Sequence, residues 1–438
     1  MLTRSFHTPP NRAGRSITRR RLLKGAGASA IALTLPGLTA CGPTGGPIAL
    51  RFFESKREVI DYWTKVTADF NAKEPAFNAV LEQSTNLTAD FVRDKPVALG
   101  LGNFDLNIAG YVIRGALADL SARPRLNTIK PSMMALGKQF GTYKSDISVV
   151  PYSVTGSGVI YNLDLFESAG VAVPTTWTQF KAACETFKSK GITPIQATVA
   201  DIWTVRQGLF EFACGGMVPD IAGFFDKLKA EGTDVGPDSP VTFQKVFGPA
   251  CKRILEVAQY FNASARNDNY TQGGAIYAQG KSAMMFQGPW AYSQIVSVNP
   301  KMNLGMFPLP MTDNPADTKV SVNLDLVLYI PRTQTDDTRR GGEAMFDFLL
   351  DPVVCNAYNT DNYAFGPFVD SPPQTNPKVS GLSPYVLSGR VYQGMWRYVP
   401  TAIPIDNYLS QFMIDGNVEA FLGRLDFDWK RLAVRLSA

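Results

Sequence analysis

Apolar residues along the first third of the chain alternate between the spacing of strands and the spacing of helices. Short apolar runs predict strands at Ile48–Glu54, Ala79–Gln83 and Phe104–Ala109, while longer amphipathic segments predict helices at Arg57–Glu74 and Asp90–Leu99. Strands that alternate with helices are typical of a mainly parallel sheet that is covered on both faces. The pattern therefore predicts an α/β fold.

The same alternation continues to the carboxyl terminus. Amphipathic helices are predicted at Phe243–Phe261, Gly341–Leu350 and Val418–Leu436, and buried strands at Ser282–Gln287 and Ser321–Ile330. About 400 residues follow the first forty, which is enough for two domains with separate cores.

One segment places an aromatic side chain at a strand end. Gly280 is a typical helix stop, Ser282–Gln287 is the strand, and Gly288 breaks it. Pro289 suits the first position of a following helix, so Trp290 lies on a first turn beyond the carboxyl end of a buried strand, where open α/β sheets bind ligands. A core anchor is the alternative interpretation of Trp290.

Short polar groups follow the predicted strands of the first third. They are suited to orienting ligand hydroxyl groups in a cleft, although helix caps or solvated loops are the alternative for each one. They are Glu54, Ser55, Lys56, Ser84, Thr85, Asn86 and Tyr111.

The net charge of +5 belongs to the amino terminus. The chain has 43 basic and 38 acidic residues, but residues 1–40 hold seven basic residues and no acidic one, so 36 basic and 38 acidic residues remain. The basicity is therefore no argument for nucleic-acid binding.

The first forty residues resemble an export signal. Arg19 and Arg20, or a pair shifted to Arg21, give a twin-arginine pattern, and the apolar run 25–38 is shorter than the roughly 20 residues that a membrane span needs. The triplet before Cys41 resembles a lipobox, which predicts cleavage there and lipid on the Cys41 sulfur. Residues 41–47 form a short tether.

Residue types exclude several chemistries. The single histidine, His7, lies in the signal, so histidine triads and histidine metal sites are excluded from the mature chain. The sequence Gly280-Lys-Ser282 lacks the earlier glycine of a phosphate loop, since Ala275 stands there. We expect neither cofactor nor metal. The cysteines Cys184, Cys214, Cys251 and Cys355 have no metal-binding spacing, and a disulfide between two of them stays open.

The helix–Gly-Lys–strand–Gly-Pro-Trp unit around Trp290 resembles the extracellular solute-binding proteins of sugar ABC transporters. The resemblance extends from Leu50 to the carboxyl terminus. It implies a two-lobed periplasmic-binding-protein-like fold of type II, in which each lobe is a mainly parallel sheet flanked by helices and several crossings form the hinge. The implied lobes are 48–154 with 323–366, and 155–322 with 367–438.

The resemblance also implies where a sugar binds. The stretch Val149–Asn162 crosses the hinge, its small residues from Thr155 to Gly158 absorb closure, and Tyr152 and Thr155 face the cleft floor. Trp203, Trp290 and Trp396 are candidate aromatic platforms; maltose-binding protein, a member of the family, has a stacking residue where Trp396 lies. Asn323 and Asp325 fall near the ligand, where many relatives carry glycine. The predicted ligand-binding set is Glu54, Ser55, Ser84, Asn86, Tyr111, Tyr152, Thr155, Trp203, Gly288, Trp290, Asn323, Asp325 and Trp396.

The function that the resemblance implies is capture of a mono- or oligosaccharide and its delivery to ABC permease subunits. The protein would be a monomeric, exported lipoprotein without enzymatic activity, held by Cys41 at the outer face of the cytoplasmic membrane or in the periplasm. Two alternatives stay open: a secreted carbohydrate-active enzyme that uses a carboxylate pair, and a surface lipoprotein without a small ligand.

Overall fold

The computed structural model describes residues 46–54, 56, 59–138 and 141–437, which form nine strands and eighteen α-helices, besides short 3₁₀ and π segments. The predicted signal 1–40, the lipidation site Cys41 and the predicted contact Ser55 lie outside these residues. No helix in the described part of the chain is both long and apolar enough to cross a membrane.

The strands and helices have the following bounds. The strands are β1 (Ile48–Glu54), β2 (Phe77–Glu82), β3 (Leu99–Gly102), β4 (Val150–Asn162), β5 (Thr193–Gln196), β6 (Ser282–Gln287), β7 (Leu304–Phe307), β8 (Val320–Tyr329) and β9 (Val391–Gln393). The helices are α1 (Ile60–Lys73), α2 (Leu87–Val92), α3 (Leu106–Ile113), α4 (Pro131–Lys138), α5 (Leu163–Ala169), α6 (Trp177–Ser189), α7 (Trp203–Val205), α8 (Glu211–Met217), α9 (Ile221–Glu231), α10 (Phe243–Ala258), α11 (Tyr270–Tyr277), α12 (Ala291–Val298), α13 (Asp336–Leu349), α14 (Pro352–Asp361), α15 (Pro377–Ser380), α16 (Ser383–Leu387), α17 (Ile405–Asp415) and α18 (Val418–Ser437).

The predicted third strand is wrong. Helix α3 begins at Leu106, within the stretch 104–109 that was expected as a strand, and the strand is formed by residues 99–102, of which Leu99 was expected as the end of a helix. The cause is Asp105, whose carboxylate accepts hydrogen bonds from the backbone N–H groups of Asn107 and Ile108 and thereby starts α3. Tyr111 consequently lies on a helix and not in a loop after a strand.

The strands form one mixed sheet. Its order is β2-β1-β3-β8-β4-β6-β5, with β7 paired to β4 and β9 paired to β8. Strands β1, β2 and β3 are parallel, as predicted for the first lobe. Elsewhere the sheet is mixed: β5 is parallel to β6 and β9 is parallel to β8, while β4 runs antiparallel to β6, β7 and β8.

Strands β4 and β8 connect the two halves and pair with each other along a stretch that neither β3 nor β6 reaches. At one end of this stretch, Gly102 of β3 pairs with Val327. At the other end, Gln287 of β6 pairs with Gly158. We call residues 153–157 of β4 and 321–325 of β8 the hinge stretch. The carboxyl ends of β3 and β6 point toward each other across the hinge stretch. Measured along β8 at about 3.3 Å per residue, the positions at which these two strands end are roughly 20 Å apart.

Two clusters of buried apolar residues form the cores. The first surrounds β1, β3 and α1 and includes Trp63 and Phe346, and the second surrounds α6 and α10 and includes Phe180 and Phe247. The first cluster also contains residues between 277 and 306 and between 379 and 386. The predicted lobe boundaries therefore stay a prediction.

The four cysteines of the described residues are buried and free, so no disulfide joins them. Cys184 lies on the buried face of α6.

Candidate functional site

The hinge stretch presents a row of buried polar side chains. Thr155 of β4 opposes Asn323 of β8, and Ser157 opposes Ser321. Because opposed residues and alternate residues of paired strands share a face, these four side chains and Asp325 lie on one face of the sheet. Thr155 and Asn323 are 7% exposed and both serines are 1% exposed. The structure thus brings Thr155, Asn323 and Asp325 together, as expected from the sequence.

The end of β1 contributes charge to this face. The ammonium group of Lys56 lies 2.6 Å from the carboxylate of Asp325, and Glu54, fully buried at the end of β1, accepts a hydrogen bond from the backbone N–H of Lys56 at 2.8 Å. Lys56 thus contacts Glu54 through its backbone N–H and Asp325 through its ammonium group.

The end of β9 supplies Trp396 and Arg397 to the same face. Strand β9 runs parallel to β8 and ends opposite residue 322, so the chain beyond it continues along β8 toward the end of β3. Arg397 reaches that end and donates a hydrogen bond to the carbonyl oxygen of Phe104 at 2.5 Å. Burial lowers the pKa of the Arg397 guanidinium, against the raising effect of Glu211, Asp105 and Asp325.

Guanidinium groups cover the indole ring of Trp396. The Arg397 guanidinium lies 4.3 Å and the Arg206 guanidinium 5.0 Å from the ring centroid, and Arg206 is also paired with Asp406 at 2.5 Å. Cation contacts of this kind occupy aromatic faces. The ring of Trp396 is therefore less available to a sugar than the sequence suggested.

Glu211, the first residue of α8, is a fully buried carboxylate beside the hinge stretch. It accepts a hydrogen bond from the hydroxyl of Ser321. Burial raises the pKa of Glu211 to about 7, while the Ser321 hydrogen bond and the charges of Arg397 and Arg206 oppose that rise. Sequence reasoning missed both Glu211 and Arg397; a lone acidic residue in the apolar run 209–214 was the available signal for Glu211.

Trp290 lies three residues beyond the end of β6. Its indole N–H donates a hydrogen bond to the side-chain oxygen of Gln287 at 2.9 Å, and its ring lies over Gly288, where a β-carbon would overlap ring atoms. The residue is half-buried against the first core cluster. Among the described residues, no aromatic ring or cation stacks on this indole. Trp290 is thus the least covered of the three candidate platforms.

An open pocket of about 510 Å³ lies at the carboxyl ends of the parallel strands. Its volume is within the range of small-molecule sites. Asn86 and Tyr111 of the predicted set line it, and the Tyr111 hydroxyl is 2.6 Å from the Thr88 hydroxyl. Ser84 is exposed and is not among the lining residues. Asn86 also caps α2, so the predicted capping role is present.

The structure does not bring Tyr152 to this face. Its ring is fully buried and packs 5.8 Å from Trp63 and 5.7 Å from Tyr358. The pairing of β4 with β8 shifts register between residues 151 and 154, so it is the burial of Tyr152 in the first core cluster that separates it from Thr155. We remove Tyr152 from the candidate site.

Trp203 opens the short helix α7, and its ring packs 5.0 Å from that of Tyr270.

No group of three or more His, Cys, Asp or Glu within the described ranges is arranged to hold a metal ion.

Comparison with known proteins adds a family match over most of the chain. The family model for the bacterial extracellular solute-binding protein matches residues 56–353. The chain is 23% identical to the multiple sugar-binding protein of Streptococcus mutans, over 60% of this chain and 62% of that protein. It is also 23% identical to a probable sugar-binding periplasmic protein of Rhizobium meliloti, over 46% of each. The chain therefore spans about half to two-thirds of the length of these curated relatives.

Solved structures share the fold. The apo form of RafE from Streptococcus pneumoniae superposes with a TM-score of 0.76 at 18% identity, covering 90% of this chain and 99% of that one. RafE in complex with raffinose gives a TM-score of 0.72 at 19% identity, covering 88% and 100%. The α/β architecture is thus the two-lobed architecture of these periplasmic binding proteins.

Proposed function

Because the chain belongs to the bacterial extracellular solute-binding protein family, we propose that it captures a mono- or oligosaccharide for an ABC importer. One geometric observation carries the proposal: the carboxyl ends of β3 and β6 point at one polar stretch from opposite sides. Ligands of open α/β sheets bind at such carboxyl ends. The relatives named for sugar binding, and the RafE complex with raffinose, support a carbohydrate as the ligand.

The uncovered face of Trp290 would stack on the apolar face of a sugar ring, while Thr155 and Asn323 would hydrogen-bond its hydroxyl groups. A micromolar affinity requires about −8 kcal/mol, which one stacked ring and several hydrogen bonds can supply after the costs of association. The ligand would then lie between the halves of the sheet that β4 and β8 connect.

Closure about the hinge stretch would enclose the sugar, and the closed form would be the one that permease subunits recognise. Export by the twin-arginine signal and lipidation of Cys41 would hold the monomeric receptor at the cell envelope, at the outer face of the cytoplasmic membrane or in the periplasm. Two lipid chains on one protein give stable anchoring, whereas one is marginal.

A carbohydrate-active enzyme is the second candidate, since the site holds several carboxylates. Glycoside hydrolysis needs one carboxyl group as acid and a second as base or nucleophile across the scissile bond. Here Asp325 is paired with Lys56, Asp105 caps α3, and Glu211 is fully buried. This arrangement favours a receptor over a hydrolase.

Incubation of the protein with a panel of labelled oligosaccharides tests the proposal. A receptor retains a sugar at one equivalent per protein and returns it uncleaved. Turnover of the label would show an enzyme. Absence of any retention or thermal shift at millimolar sugar would favour a lipoprotein without a small ligand.

A further inference from the structure

A phenylalanine ring near the end of β1 packs in neither core of the molecule. Phe53 is half-buried and belongs to neither cluster of buried apolar residues, nor to the apolar residues packed against them. Among the described residues, no aromatic ring or cation lies against its ring. A single exposed apolar side chain needs no function by itself, so the position of Phe53 decides what its ring can do.

The pairing of the strands places this ring at the open pocket. Phe53 pairs with Gly100 of β3, which pairs in turn with Tyr329 of β8, so the three residues share one face of the sheet. The ring of Tyr329 lies over Gly100, and the edge of the Phe53 ring lies 3.8 Å from the position that a β-carbon on Gly102 would take. Phe53, Gly102 and Tyr329 line the pocket of about 510 Å³.

Hydrogen-bonding side chains surround the ring of Phe53. The exposed carboxamides of Asn86, Asn103 and Asn107 line the same pocket. The buried hydroxyl of Tyr329 has no hydrogen-bond partner within the described residues. Carboxamides and hydroxyls both donate and accept, as sugar hydroxyl groups do. The pocket therefore offers an aromatic face for a sugar ring and polar groups for its hydroxyls.

The pocket adjoins the hinge stretch through Phe104. Asn103 and Asp105, on either side of Phe104, line the pocket, and the backbone N–H of Phe104 donates to the carbonyl oxygen of Leu324 at 3.3 Å. Trp290 follows β6 at the other end of the hinge stretch, and the ends of β3 and β6 are roughly 20 Å apart along β8. A single sugar ring is much shorter than this distance, whereas a chain of several rings spans it.

From this arrangement we infer that the pocket is a second sugar subsite with Phe53 as its aromatic platform, and that the ligand is an oligosaccharide whose separate units contact Trp290 and Phe53. The inference rests on the proposed function and specifies its substrate class. Phe53 sets the preference for chain length, because a single sugar unit bound at Trp290 does not reach the pocket.

Sugars of different length test the inference in the intact protein. The oligosaccharide that binds most tightly in the labelled panel is titrated, and its single units are measured by displacement of the label at millimolar concentrations. We expect the oligosaccharide to bind at least about tenfold more tightly than any of its units, because the second stacked ring adds apolar contact. A single unit that binds as tightly as every oligosaccharide would overturn the inference and leave the proposed function intact. If no sugar binds, the proposed function fails and the inference with it.

Phe53→Leu tests the platform. Leucine keeps an apolar side chain on β1 but has no flat face, so the affinity for the oligosaccharide should fall by about three- to tenfold. The affinity for the single unit should change by less than about twofold, because that unit binds at Trp290. An equal loss for both sugars would place Phe53 at the same unit as Trp290 and overturn the inference.

Asn103→Ala tests the subsite independently of the ring, and decides the question if Phe53→Leu does not fold. It removes an exposed carboxamide from the pocket, and should lower the affinity for the oligosaccharide by about twofold or more without weakening the single unit.

The control is Phe77→Leu. Phe77 is also half-buried, but it begins β2 at the amino ends of the parallel strands and does not line the pocket. Its substitution should leave both affinities unchanged. If folded Phe53→Leu and Asn103→Ala proteins bind the oligosaccharide as wild type does, or if the control loses as much affinity, the assignment of the second subsite is wrong.

Discussion

The indole of Trp290 lies over the backbone of Gly288, so closely that a β-carbon at position 288 would overlap ring atoms. The glycine therefore sets the orientation of the ring, and the hydrogen bond to Gln287 fixes its edge at 2.9 Å. This relationship connects the break after β6 with the candidate sugar platform.

Gly288→Ala should displace the indole and weaken sugar binding by about tenfold or more, because a stacked ring needs its own position and angle. Calorimetric titration measures the affinity. Gly248→Ala in α10 is the control, since an added β-carbon there meets no atom within 4 Å. Unchanged affinity in the Gly288→Ala protein would show that the orientation of Trp290 does not matter for binding.

Tyr152→Phe should leave sugar affinity unchanged, because the ring lies in the core between Trp63 and Tyr358. Its hydroxyl has no hydrogen-bond partner within the described residues, so its removal should change stability by no more than about 1 kcal/mol. Tyr152→Ala should cost about 3–5 kcal/mol, as for other large core aromatics. Chemical denaturation and titration measure both quantities. A loss of affinity in the Tyr152→Phe protein would return Tyr152 to the site.

Because of Glu211, the free energy of unfolding should fall as pH rises from about 4.5 to about 7. Its pKa in the folded protein is about 7 against a usual 4.5, because burial penalises the ionised form. The folded state therefore binds more protons than the unfolded state across this window, and the difference in stability is on the order of 3 kcal/mol.

Denaturation of the wild-type and Glu211→Gln proteins at pH 5 and pH 8 measures this effect. The amide cannot ionise, so the variant should gain stability relative to wild type at pH 8. Glu167→Gln, at an exposed position of α5, is the control. The interpretation of Glu211 fails if both substitutions change the pH dependence equally.

Cys41→Ser should yield an exported, folded protein that is no longer attached to the membrane, because the lipidated sulfur is absent. Fractionation after a salt wash measures attachment. A variant that still sediments with membranes would contradict the lipobox prediction.

The local sequence pattern predicted those strands and helix ends that depend on only a few neighbouring residues. The bounds of β1 and β6 match the predicted strands, and Gly280 adopts the left-handed conformation, φ +74°, expected of a helix stop. Strand β3 was missed because Leu-Gly-Leu-Gly has no β-branched or aromatic residue. The run 104–109 was mistaken for a strand because its apolar residues gave a strand pattern, and the single helix-capping residue Asp105 was a weaker signal.

The polar side of the site depends on tertiary contacts and could not be predicted in the same way. Glu211, Ser321 and Arg397 come from distant parts of the chain and meet only after β8 and β9 have paired. The Lys56–Asp325 pair joins residues 269 positions apart. No local spacing encodes such a contact.

The central claim is that Trp290 is the platform on which the sugar stacks. Trp290→Ala should lower the free energy of sugar binding by roughly 1.5–3 kcal/mol, because the apolar surface of the indole is no longer buried against the sugar. This loss corresponds to about tenfold to over a hundredfold in affinity. Its effect on stability should be much smaller than that of Trp177→Ala, since Trp177 is 4% exposed and packs on Phe180 in the second core. Truncation of such a core residue costs about 3–5 kcal/mol.

Calorimetric titration of both variants with the sugar that wild type retains most tightly, together with thermal melting, gives the most direct test. We expect Trp290→Ala to lose affinity and keep most of its stability, and Trp177→Ala to lose stability while its folded fraction binds as wild type does. A Trp290→Ala protein that melts like Trp177→Ala and binds the sugar as tightly as wild type would contradict the claim.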